Sequence, residues 1–380
     1  NVTKAFTKKN IYIIIENIRN TEGIKIMSKK VKNFLHKFFK IFIIFMLAIL
    51  VINVIVFVGL YINHRSKCKK EAVYMHAPGE MVNIDGKNIH VLEGGDTEAD
   101  TTLVFIHDGL VCDDSIALQP LFDELSGYHL VYVDKSGYGF SPSADSDKHI
   151  DAMVDDYRKV LQEKGIEGPY VLVASGTGGL DAVYWADTYK DEVQAIIGMD
   201  MNYAEQFDSI TTDEYTGFFD YLMIQFTKIG GMRLAKSSFP DNIGDVYSDI
   251  QMKTRDAIIA ERGYTRDMYF ENYYTVDNAA AVKELGMPED IPMYMLMANP
   301  LLEPYINDDE TAKTTYEEVK AEDGDEEFDY VAAYCSGAKE FYSQYSNITC
   351  EEISGPARLY TYDPKGVSEK ISGFIEENIK

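Results

Sequence analysis

Residues 171–180 read VLVASGTGGL. Val171, Leu172 and Val173 form an apolar run that ends in small residues, and a helix-like segment follows from Leu180 to Tyr189. That order is the layout of a nucleophile elbow, a sharp strand-to-helix turn that lifts one side chain above a sheet. The pattern of such a turn is G-x-S-x-G. Here the five positions are Ala174, Ser175, Gly176, Thr177 and Gly178, so glycine stands at the reactive position. The seven histidines (His36, His64, His76, His90, His107, His129 and His149) all precede the turn. A triad in the chain order serine, acid, histidine therefore cannot be completed. Glycine lacks the Cβ that makes the elbow conformation costly, so it keeps the turn while removing the reactive oxygen.

Outward from this turn, short apolar runs alternate with amphipathic segments. Thr102 to His107, His129 to Asp134, Ala195 to Met199 and Met293 to Met297 read as buried strands. Asp151 to Lys164 has helical spacing, with Met153, Val154, Tyr157, Val160 and Leu161 on one face. Met81 to Leu92 reads as a hairpin turning at Asp85-Gly86, and Val367, Ile371, Phe374 and Ile375 line a last helix. This alternation predicts an α/β fold: a mostly parallel sheet with helices on both faces. Core segments are expected at 81–201 and 291–380. Residues 202–290, aromatic and helix-prone, are expected to form a helical cap between them. Residues 307–329 form an acidic insertion that lacks the ligand spacing of a calcium loop and reads as solvated surface.

Residues 41–62 are apolar except for Asn53 and Gly59. As a helix they reach about 33 Å, enough to cross a bilayer. No small-residue cleavage site follows, so a single-pass transmembrane helix is expected, with residues 63–80 as a linker. Residues 21–40 carry six lysines against four basic residues in 63–82, which favours residues 1–40 in the cytoplasm and the main domain outside. Residues 1–26 are expected to be a leader that is not native, because Met27 resembles a start. Residues 1–70 carry a balance of +12 and the remainder −38. A domain this acidic repels nucleic acid. The four cysteines make no disulfide framework, although Cys335 and Cys350 can pair outside the cell, and no Cys/His spacing suggests a metal.

Three stretches carry a family resemblance: FIHDG (Phe105 to Gly109), DKSGYGFS (Asp134 to Ser141) and Pro169 to Asp200 around the elbow. With them the chain resembles the α/β-hydrolase superfamily of esterases, lipases, haloalkane dehalogenases and proline-type peptidases over about residues 77–380. The resemblance implies a serine at Gly176, an acid near Asn299, a histidine at Ala357 or Arg358, and glycine where Asp108 stands in the oxyanion loop. None of these is present. Asp200, where some relatives carry an alternative acid, reads as a strand-end turn or cap residue. Ser175, Thr177 and Cys112 are weak alternative nucleophiles, with His107 as their one nearby base. Backbone N–H groups at Gly109, Gly176, Thr177 and Gly178 are expected to offer an anion or carbonyl site. The sequence thus predicts a membrane-anchored, catalytically degenerate hydrolase fold that binds a small molecule, peptide or protein partner without a cofactor. The alternative is an active hydrolase of a small ester or amide with a non-standard nucleophile.

Overall fold

The computed structural model describes residues 29–208, 217–238, 246–300, 302–303 and 330–379. The proposed leader and the acidic insertion 307–329 lie outside the described residues. The chain divides into two compact units, Asn1–Ile62 and Asn63–Lys380.

Helix α1 spans Lys29–Glu71. Among the described residues it is the one helix long and apolar enough to cross a membrane. Its apolar side chains from Phe38 to Ile62 are largely exposed. The helix does not end at residue 62, and the first nine residues of the expected linker are helical. Asn63 to Glu71 contains neither glycine nor proline, and Lys69 and Lys70 in the last turn suit the negative end of the helix dipole.

The second unit is built on an eight-stranded sheet: β1 Glu80–Ile84, β2 Lys87–Gly95, β3 Thr102–Ile106, β4 His129–Val133, β5 Tyr170–Gly176, β6 Val193–Met201, β7 Met293–Asn299 and β8 Ile348–Ser354. Their order is β1-β2-β4-β3-β5-β6-β7-β8. The β1–β2 and β2–β4 pairs are antiparallel and the others parallel. Asp85 and Gly86 both take positive φ, as a tight hairpin turn between right-twisted strands requires. Every residue of β3, β4 and β7 is buried, the pattern of strands covered on both faces.

Helices α2 (Ile150–Lys164) and α3 (Gly178–Thr188) cover one face of the sheet. Between β6 and β7 the chain inserts α4 (Gly217–Lys228), α5 (Asp249–Arg262) and α6 (Arg266–Leu285), the helical cap. Cap residues Ile258 and Met268 pack on Cys112, Ile116, Tyr138 and Phe140 of the core. Helix α7 (Tyr330–Tyr342) joins the first face, and α8 (Pro364–Asn378) closes the opposite one with Val367, Ile371, Phe374 and Ile375.

Candidate functional site above the strand-to-helix turn

β5 ends at Gly176 with φ +48, a left-handed conformation that favours glycine, and α3 begins two residues later. Gly178 allows the close approach of helix and sheet, because a Cβ there would meet the carbonyl oxygens of Ile106 and His107 at 2.7 Å. Gly176 faces a different neighbour. The space a side chain would fill at this position already holds the carboxylate of Asp108. That carboxylate accepts the Thr177 backbone N–H at 2.8 Å and the Thr177 hydroxyl at 3.0 Å, both on Oδ1. Thr177 Oγ1 in turn accepts the Gly109 backbone N–H at 2.8 Å.

At the expected anion site of Gly109, Gly176, Thr177 and Gly178, two of the four N–H groups already have partners within the chain. The N–H groups of Gly109 and Thr177 are consumed within the chain, and a negative group stands where an oxyanion would have been received. Burial pushes the Asp108 carboxyl up, opposed by the two bonds from Thr177.

A cavity of about 370 Å³ opens above the turn. Asp108, Ser175, Gly176, Asp200, Ala357 and Arg358 are among the residues that line it. Thus Gly176, Ala357 and Arg358, far apart in sequence, meet in one space. Asn299 does not line it; its side-chain amide donates to Glu352 at 3.1 Å, while its neighbours Ala298 and Pro300 form the wall. Besides Asp108, the cavity wall carries the carboxyl group of Asp200, at the end of β6 with φ +52. It accepts the Ala298 N–H at 2.7 Å, and burial pushes it up to about 6.

Arg358 holds the place where the resemblance implies a histidine. Its guanidinium donates to Asp113 at 3.1 Å, to Asp114, and to the Tyr360 hydroxyl at 2.9 Å. Arg255 of the cap donates to the other oxygen of Asp113 at 2.9 Å. Burial opposes the charge of Arg358, but Asp113, Tyr360 and Asp114 more than offset it and hold the side chain cationic. Two arginines and two aspartates therefore lock the β8–α8 connection to the cap beside the cavity.

The weak alternatives do not assemble. The His107 ring is buried: Nδ1–H donates to the Asp108 carbonyl at 2.7 Å and Nε2 accepts the Lys135 N–H at 3.2 Å. Burial, then the Lys135 charge, keep it neutral, with both nitrogens engaged. Burial and Asp113 push the Cys112 thiol up, away from the thiolate a nucleophile needs. Ser175 lines the cavity, but among the described residues no histidine does. Cys335 and Cys350 are not joined in a disulfide, and the Cys335 thiol donates to the Ala298 carbonyl at 3.6 Å. Elsewhere, Cys68, Glu71 and Glu261 bring ligand atoms within 4.8 Å of one another, yet the positive partner of this group is Arg233, which donates to both oxygens of Glu71 and to Cys68.

The carboxylate that fills the elbow was visible in the sequence only as an oddity of the oxyanion loop. Its signal was paired: an aspartate where glycine is usual, together with a glycine where a side chain is usual.

Residues 102–231 match the family model described as the alpha/beta hydrolase fold. An uncharacterised protein of Bacillus subtilis, YbdG, is 25% identical over 346 residues, covering 89% of this chain and 98% of its own length. Among solved structures, a haloalkane dehalogenase loop variant from Bradyrhizobium elkanii aligns with TM-score 0.52 at 16% identity, covering 78% of this chain and 96% of that one. An enol-lactonase from Burkholderia xenovorans aligns with TM-score 0.52 at 11% identity, covering 78% and 99%. Strand order, the Gly176 turn, the inserted cap and these likenesses agree: the chain has the α/β-hydrolase fold.

Proposed function

We infer that this protein is a membrane-anchored binding module that has kept the hydrolase scaffold and given up acyl-transfer chemistry. The observation that carries the reading is the Asp108 carboxylate seated in the nucleophile's space and bonded to Thr177. Acyl transfer needs donors aimed at developing negative charge. Here those donors are already bonded, and a carboxylate opposes such charge.

The same geometry selects the ligand. Asp108 and Asp200 both face the cavity. Among the described residues Arg358 is the cavity's one cationic wall residue, and its charge is answered by Asp113 and Asp114. A ligand with an ammonium or another hydrogen-bond donor, such as a small amine or a peptide amino terminus, fits this balance better than a carboxylate or ester. In this reading helix α1 holds the module in the membrane, and the lysine excess of residues 21–40 supports an extracytoplasmic cavity.

The test is thermal-shift titration of the detergent-solubilised chain with matched series of small amines and small carboxylates, beside intact-mass measurement after exposure to a fluorophosphonate and to activated esters. Stabilisation by amines, lost in Asp108→Asn, with no mass adduct, is the expected result. A covalent adduct on the wild-type chain, or equal response of Asp108→Asn, overturns the reading.

A further inference from the structure

Helix α4 of the cap carries apolar side chains on both its inner and its outer face. Asp220, Ile224 and Thr227 lie one helical turn apart on its inner face; Ile224 and Thr227 are buried, and Asp220 accepts the Tyr264 hydroxyl at 2.6 Å. The outer face carries Phe218 and Phe219, each 66% exposed, with Leu222 and Met223 at 44% and 41%. These four sit at i, i+1, i+4 and i+5, one contiguous apolar stripe, and none is charged. Leu234, just beyond, is also 66% exposed. A soluble domain does not gain by placing such an apolar stripe outward.

What covers this face follows from the neighbouring chain. Gly230, two residues after α4, packs on His64 so closely that a Cβ would press into the ring. Arg233 Nε–H donates to His64 Nδ1 at 3.0 Å, and its guanidinium grips Glu71. His64 follows Ile62, the last apolar residue of α1, by two positions, or about 3 Å of helix. The segment that ends α4 is therefore clamped to a residue only two positions beyond the apolar run of α1. Arg65, Lys67, Lys69 and Lys70 follow His64 in the chain, and their positive charge attracts anionic headgroups.

We propose that α4 lies in the bilayer interface as a second membrane contact, with Phe218, Phe219, Leu222 and Met223 buried among the upper acyl chains. The cap then rests on the membrane rather than swinging on a free tether. The proposal rests on the anchoring of α1 inferred above, and its test separates the two. The full chain is reconstituted in vesicles of phosphatidylcholine and phosphatidylglycerol, with and without bromine near the headgroup end of the acyl chains. The chain's one tryptophan, Trp185, is fully buried and gives a constant background. Phe219→Trp, and separately Leu222→Trp, report on α4; Val54→Trp reports on the span. Loss of the added emission in brominated vesicles for all three variants is the expected result. Quenching of Val54→Trp with neither α4 variant quenched overturns the interfacial helix and leaves the anchor intact. An unquenched Val54→Trp removes the anchor and this proposal with it.

Discussion

Asp108 and Gly176 share one volume, and each residue makes sense only beside the other. A serine hydroxymethyl at 176 would collide with the Asp108 carboxylate. Gly176→Ser alone is expected to destabilise the protein by about 1–3 kcal/mol, the usual cost of overpacking a filled site. Combined with Asp108→Gly, most of that loss should disappear. A double-mutant cycle by chemical denaturation checks the pair, and additive effects would show that the two positions are independent. Asp200 gives a second prediction. Burial lifts its carboxyl to about 6, against roughly 3.9 in an unfolded chain. Between about pH 4 and 6 the folded state keeps a proton that the unfolded state has released, so stability falls as pH rises through that window. Asp200→Asn should flatten this part of the pH–stability curve; an unchanged slope would assign it to another group.

Between elements, the cap is held to the core by buried charge. Glu271 of α6 pairs with Lys135 and approaches Lys148 at 4.0 Å, while Lys148 lies 3.8 Å from Asp267. Asp181 of α3, pushed up to about 7 by burial, stands 3.7 Å from Lys135. Removing Glu271 takes the nearest carboxylate from the buried Lys135 ammonium and leaves it only the more distant Asp181, so Glu271→Ala is expected to cost about 3–5 kcal/mol in urea unfolding. A loss below about 1 kcal/mol, typical of a surface pair, would mean that water replaces the carboxylate. The elements themselves differed in how plainly the sequence announced them. β3, β5 and β7 are unbroken apolar runs and read directly. β8 went unread because it is an edge strand bearing Glu351 and Glu352, only half-buried along its length. The run of α1 past residue 62 was hidden by charge, since lysine-rich sequence suggests a linker while costing a helix little.

Across the whole molecule, charge is the strongest compositional fact. The net charge is −26, and self-repulsion opposes compactness. Raising salt from about 0.01 M to 0.15 M shortens the screening length from about 30 Å to 8 Å. The melting temperature in detergent should rise over that interval. A fall would show that local ion pairs such as Arg158–Glu192, at 2.6 Å, outweigh the global repulsion.

The sequence by itself determined the fold class, because strand and helix periods and the glycines of the β5–α3 turn are local properties. It also determined which reactive groups are missing, since absence of a hydroxyl at 176 needs no coordinates. Only the tertiary structure decided what replaced them. Asp108 and Gly176 are 68 positions apart, and Arg358 lies more than 240 residues from Asp113 and Asp114. Their contact depends on β3 lying beside β5 and on the β8–α8 connection returning over the same end of the sheet, a consequence of strand order that no local pattern encodes.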